Sequence, residues 1–265
     1  MEVMKKLPHQ SWGQKYHVKT VSVTVVIIGL VILSAKVAGV DVAMFFTNLD
    51  QFTDLLVRMS HPDWSYIAII WQPILETIQM AVMGTTIGTL FAIPFSFLAA
   101  SNIVKNSWAH GLIRFFLDLV RTLPDLLLAA IFVAIFGIGS TAGVVTLAIF
   151  SFGMVSKLFY EVIETIDEGP IEALESVGAR KLQIIHFAVV PQVMNQFISY
   201  FLYTLEINVR ASTVLGYLGA GGIGVYLQRS LNEFNYSQTA VIILMTLAVV
   251  IVINGISNYL RERLI

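Results

Sequence analysis

The chain contains no cysteine, which removes disulfides, thiolate metal sites and cysteine nucleophiles together. Charge is scarce as well. Only 12% of the 265 residues are Asp, Glu, Lys or Arg, about half the share of roughly a quarter found in soluble domains. A net charge of −1 leaves neither a basic nucleic-acid footprint nor an acidic tail. Five histidines (His9, His17, His61, His110, His186) are scattered without HExxH or paired spacing, so no metal site is expected. There is no GxxxxGK[ST] phosphate-binding loop and no GxSxG, so neither a nucleotide site of that kind nor a hydrolase nucleophile is marked.

What is abundant is apolar: 57% of the residues are hydrophobic and the mean hydropathy is +0.79. No water-soluble core of this length absorbs so much apolar surface, so lipid is the solvent for most of the chain. A membrane-crossing helix needs about 20 mostly apolar residues, and six segments qualify: about 19–39, 72–100, 113–137, 142–161, 190–214 and 237–259. The first has the length of a signal peptide, but Lys19 and Lys36 can snorkel to the headgroups. It reads as a retained anchor helix. The expectation is an all-α, polytopic membrane protein with six transmembrane helices.

Orientation follows from where Lys and Arg fall between spans. With the N-terminus inside, Lys5, Lys6, Lys15, Lys19, Lys105, Arg114, Arg180, Lys181, Arg261 and Arg263 are cytoplasmic. Arg58 and Arg229 are external, with Lys36 at a boundary. Six spans return the C-terminus to the same side. Residues 40–71 then form an external excursion in which Asp41, Asp50, Asp54 and Asp63 alternate with Phe45, Phe46, Phe52, Leu55, Leu56 and Val57, the pattern of an amphipathic surface helix. No internal repeat is visible. The organisation expected is an anchor helix and external segment over 1–70, then a transport domain over 71–265 with a cytoplasmic loop at 161–191.

That loop is the longest polar interruption on the inner side, and its chemistry is that of a short helix marked at both ends. Asp167 and Glu168 favour a helix N-terminus, Pro170 suits the first turn, and Gly178 suits the left-handed cap. Arg180 and Lys181 open a second basic stretch. With Ala173 as the small residue at its core, this elbow would present a rigid knob to another polypeptide.

Glu172-Ala173-Leu174, three residues, Gly178, nine residues and Ala188-Val189-Val190-Pro191 resemble the EAA loop of ABC-importer permeases, with Leu174 for the second Ala, Ala188 for Ile and Val190 for Leu. Tyr203–Arg210, Arg121-Thr122-Leu123-Pro124-Asp125, Lys157–Glu161 and Pro191-Gln192 are similar to phosphonate-type permeases in particular. The likeness runs from about Pro73 to the C-terminus. It implies the type I importer architecture, with Glu172, Ala173, Leu174, Gly178 and Ala179 coupling to a separate ATPase that binds ATP and Mg, present in two copies. It also implies an extracytoplasmic solute-binding protein, a second permease copy as a homodimer, a bacterial inner-membrane location, and a phosphonate or related phosphorus oxyanion as cargo. This chain would carry no catalytic residue and no cofactor.

Gly219-Ala-Gly-Gly-Ile-Gly224 satisfies GxGxxG, but a dinucleotide site needs a preceding strand, and a membrane helix precedes this run. The reading here is backbone that bends sharply or approaches another element closely. Glu76, Asp118, Arg121, Asp125, Lys157, Glu161, Glu206 and Arg210 fall within spans, where ionisable groups are functional candidates. Arg121 with Asp125, Lys157 with Glu161 and Glu206 with Arg210 are spaced i,i+4 and can neutralise each other. Pro124 is expected to kink its helix beside Arg121. The candidate pathway or gate is therefore Arg121, Pro124, Glu206, Arg210, Gly219, Gly221, Gly222 and Gly224. Two alternatives stay open: a permease for methionine or another small organic solute, and an ATP-independent ion-coupled carrier or channel.

Overall fold

The computed structural model describes residues 18–40 and 42–264. Lys5, Lys6, Lys15, His9, His17, Asp41 and the side chain of Lys19 lie outside that description. Contacts divide the chain into two compact units, residues 1–57 and 58–265.

The first unit holds α1 (Val18–Val37), α2 (Val42–Thr47) and most of α3 (Leu49–Met59). α1 is unbroken and wholly apolar from Val25 to Leu33, with Lys36 in its last turn, where a cation complements the helix dipole. α3 has Phe52, Leu55, Leu56 and Met59 at helical spacing opposite Asp50, Asp54 and Arg58. The helix is amphipathic as the acidic–apolar alternation predicts, except that Val57, expected on the apolar face, falls on the polar side and Met59 completes the apolar one.

The second unit continues with a single 3-10 turn at Trp64–Tyr66 and the long helix α4 (Ile67–Ala99). Then come α5 (Ser107–Thr122), α6 (Asp125–Phe136), α7 (Ser140–Ile163), α8 (Gly169–Ser176) and α9 (Lys181–Ile184). A π-wound turn at Ile185–Val189 leads into α10 (Val190–Tyr217), followed by α11 (Ile223–Asn232) and α12 (Tyr236–Leu264).

α4 and α7 form the central pair. They pack closely because Gly84 and Gly88 present no side chain: a Cβ at Gly84 would sit 2.5 Å from Leu147 Cβ, and one at Gly88 2.6 Å from Ser151 Cβ. In lipid, helix association rests on such small-residue contact and on interhelical hydrogen bonds. α10 joins this pair through Asn208, which is fully buried. Its amide donates to Thr85 Oγ1 of α4 (2.7 Å) and to Ser151 Oγ of α7 (2.6 Å).

Two of the six expected spans take a different form. Residues 113–137 are not one kinked helix: α5 and α6 meet at a bend of 80°. Leu123 and Pro124 are both extended (ψ 122° and 134°); the proline ring favours this in the residue before it, although α4 runs unbroken through Pro73 and Pro94. α10, the expected span 190–214, is 28 residues long, or about 42 Å at 1.5 Å per residue. Its Gln192, Asn195, Gln196, Glu206, Asn208 and Arg210 nevertheless leave it outside the apolar class. Among the described residues four helices are long and apolar enough to cross a membrane, or five if the bent pair counts as one span. The polarity of α10 is that of a helix whose side chains find partners within protein.

Candidate functional site

The elbow forms as its local chemistry dictates. Asp167 Oδ1 accepts the Gly169 N–H (3.0 Å) and Pro170 lies in the first turn of α8. At the other end Gly178 has φ +78°. The Gly178 and Ala179 N–H groups return to the carbonyls of Glu175 and Leu174, both at 3.0 Å, which satisfies groups a helix end leaves orphaned. Ala173 is not at the core of the elbow. It is exposed with Glu172, while Ile171 packs into the cluster around Ala99, Leu117, Tyr160 and Val193 and Leu174 is half-buried. On a 3.6-residue helix, positions 171 and 174 share the inner face and 173 faces away. Val177 and Leu182, on either side of Gly178 in sequence, are 77% and 80% exposed, apolar surface that sequence reasoning missed.

Two of the polar fastenings at the base of the elbow run to α5 and α10. Glu164, just past α7, pairs with Arg114 of α5 and accepts from the Ser101 hydroxyl and, at 2.7 Å, from the Ser101 amide. Arg114 also donates to the Ala99 carbonyl (2.9 Å) and lies over the Tyr160 ring at 4.7 Å. Burial pushes the Glu164 carboxyl up, but the Ser101 bonds and the Arg114 guanidinium together outweigh it and hold it below the ordinary value. The second fastening is Gln192 of α10. Its amide oxygen accepts the Asp167 N–H (3.0 Å), and its amide nitrogen donates to the Asp167 carbonyl (3.3 Å).

The glycine run lies between α10 and α11 and is buried from Ala220 to Gly224. It packs against the third turn of α4 and the start of α7: the Gly139 N–H reaches the Gly219 carbonyl (3.0 Å) and the Ile223 N–H reaches Thr77 Oγ1 (2.8 Å). Gly219, Gly221 and Gly222 all have positive φ. A Cβ at Gly221 would lie 2.7 Å from Ser140 N, and one at Gly224 would overlap the Thr213 carbonyl. Close approach is therefore the reason for glycine here. Thr77, the partner hydroxyl, carries no sequence signal of its own.

The intramembrane charges fall in separate places. Arg121 pairs with Asp118 (3.6 Å) rather than Asp125. The expected i,i+4 pair fails because the break at Pro124 intervenes, and Asp125 instead accepts the Leu126 N–H (2.9 Å) in the first turn of α6. The Arg121 stem lies against Gly153 of α7, where a Cβ would come within 2.9 Å of its Cγ. Lys157–Glu161 (3.5 Å) and Arg210–Glu206 (2.9 Å) form as spaced. Glu206 has a second cation, Arg261 of α12, at 3.4 Å; its separation of 55 residues hid it from pattern reading. The Glu206 carboxylate is mostly covered and Arg210 is half exposed; with two guanidiniums to one carboxylate, the three groups have a formal charge of +1.

A helical membrane bundle with a doubly capped elbow and a buried glycine loop has the architecture of the type I ABC importer permeases. A chain of the inward-facing MetNI methionine ABC transporter matches it with a TM-score of 0.70 at 19% identity, covering 77% of this chain and 99% of that one. Residues 92–265 match the model of the binding-protein-dependent transport system inner membrane component, and the chain belongs to that family. The phosphite transport system permease protein PtxC of Stutzerimonas stutzeri is 37% identical over 239 residues, 90% of this chain and 87% of its own length. The phosphate-import permease protein PhnE of Mycolicibacterium smegmatis is 32% identical over 241 residues, 91% of this chain and 45% of its own length.

Proposed function

We propose that this chain forms the translocation pathway of an ATP-driven importer for phosphite, phosphonate or a related phosphorus oxyanion. The observation that carries the reading is the elbow. Glu172, Ala173 and Glu175 of α8 and Val177 and Leu182 beyond it are exposed, and exposed apolar side chains at the turn that ends a short helix are a surface for a partner. Glu172, Ala173, Leu174, Gly178 and Ala179 couple it to a separate ATPase, which supplies ATP and Mg. Two ATPase subunits, a solute-binding protein and a second copy of this chain complete the assembly. It sits in a bacterial inner membrane with both termini cytoplasmic, residues 1–70 serving as anchor and external segment and 71–265 as the transport domain.

The relatives named for phosphite and phosphate import support the cargo. Arg121 beside the Pro124 break, the Glu206–Arg210 pair, and the loop of Gly219, Gly221, Gly222 and Gly224 form pathway wall and gate. A half-exposed arginine already shared with a carboxylate offers an anion a weak site, and conduction requires binding weak enough to release. Arg121→Ala lowers transport while the amount of membrane-inserted protein stays the same.

The test is reconstitution with the ATPase and the binding protein loaded in turn with phosphite, phosphate, a phosphonate or methionine. A phosphorus oxyanion should stimulate ATP hydrolysis and uptake. Stimulation by methionine alone overturns the cargo, and uptake without ATP or ATPase overturns the coupling in favour of a carrier.

A further inference from the structure

Among the described residues, one side chain hydrogen-bonds the leading end of the elbow to α10, beside the apolar packing of Ile171 on the cluster that includes Val193. Gln192 sits in the first turn of α10, and its terminal amide engages both backbone groups of Asp167, accepting from the N–H (3.0 Å) and donating to the carbonyl (3.3 Å). The same nitrogen donates to the Ala188 carbonyl (2.8 Å) in the π-wound turn Ile185–Val189. Asp167 in turn caps α8 through the Gly169 N–H. The Asp167 end of these bonds is backbone, which has no rotamer to relax into, and three bonds from one amide restrict the Gln192 side chain.

The turn behind Gln192 has the opposite character. A π-turn holds one residue more than the α-helix, is rarely stable for its own sake and recurs where a helix must adjust. Pro191 adds no N–H to the preceding turn, which leaves this stretch easier to rewind than the helix beyond it. That helix is itself fastened to α4 and α7 by Asn208. A rigid link beside a yielding turn makes a lever and its joint.

We propose that Gln192 is the positioning residue that yokes the elbow to α10, with the Ile185–Val189 turn as the joint about which the yoked pair moves. Displacement of α8 is thereby delivered to the helix that carries Glu206, Asn208 and Arg210, instead of being absorbed by the four-residue link Thr165–Glu168. Coupling between distant sites needs such a contiguous mechanical path. This inference rests on the reading that α8 docks an ATPase.

The test uses the full complex in vesicles, with Gln192→Ala and Gln192→Met compared with the parent. Both remove all three hydrogen bonds, and Met keeps the length and packing. Solute moved per ATP hydrolysed should fall at least about fivefold in both, the factor to which the net loss of a single hydrogen bond already corresponds. An unchanged ratio in both variants overturns the proposal, whatever the absolute rates. Hydrogen exchange at the Asp167 amide, measured on the chain alone in detergent, should accelerate by a similar factor in both variants, and exchange as slow as in the parent overturns the proposal even where a variant fails to assemble. Failure of the parent chain to recruit an ATPase sinks the docking reading instead, and Asp167 exchange still decides whether Gln192 holds the elbow.

Discussion

Replacing Gly222 by alanine should be among the most damaging single-methyl changes in the glycine loop. Gly222 sits at φ +71°, ψ −162°, a region open essentially to glycine alone, where a side chain costs about 1–3 kcal/mol. The added Cβ would also lie 2.5 Å from Thr77 Oγ1, about 1 Å inside ordinary contact. That hydroxyl cannot move freely, since it accepts the Ile223 N–H at 2.8 Å and donates to the Pro73 carbonyl at 2.8 Å. Displacing it leaves a buried N–H unpaired, which costs about 1–3 kcal/mol more. The sum, about 2–6 kcal/mol, is a large part of the 5–15 kcal/mol that holds a typical fold. Gly178→Ala supplies the control: φ is +78° but nothing lies within 4 Å, so only the left-handed strain of about 1–2 kcal/mol applies. Equilibrium unfolding in mixed micelles measures both. Repeating Gly222→Ala in a Thr77→Ala background removes the clash, and its cost there should drop by at least about 1 kcal/mol. If Gly222→Ala proves no worse than Gly178→Ala, or costs the same in both backgrounds, the steric account is wrong.

Glu164→Gln should flatten the acid limb of stability. A carboxyl held below its ordinary value in the fold contributes stability that is complete above the unfolded value of about 4.3. That contribution is lost as pH falls through the lower folded value, so melting midpoints of parent and variant should converge in that acid window and separate at neutral pH. Asn208→Leu removes the bonds to Thr85 and Ser151 and should destabilise the bundle by about 1–2 kcal/mol, interhelical bonds in membranes averaging about 0.6 kcal/mol each with a maximum near 1.7; equal unfolding curves would show that these bonds carry nothing. Val177→Asp places a charge on the exposed apolar surface beside Gly178 and should cut ATPase co-purification at least about tenfold, the scale of a hot-spot loss of 1.4 kcal/mol or more, with the chain's own melting point unmoved.

Local chemistry alone determined much of this protein. The apolar surplus made it a helical membrane protein. Asp167, Pro170 and Gly178 set the bounds of α8, and the i,i+4 charges at 157–161 and 206–210 found each other, because each effect acts within one or two turns. Pro124 announced a disturbance in the same way, but not its size. Whether a proline kinks a helix or ends it depends on what its neighbours pack against, and the 80° turn that separated Arg121 from Asp125 was decided by the bundle. The polarity of α10 likewise became intelligible only once α4, α7 and α12 brought Thr85, Ser151 and Arg261 to Asn208 and Glu206. Gln192, Thr77 and Arg114 belong to the same class. A hydrogen bond spanning 25, 146 or 15 residues leaves no period in the chain, since its partner is chosen by the packing of helices and not by their winding.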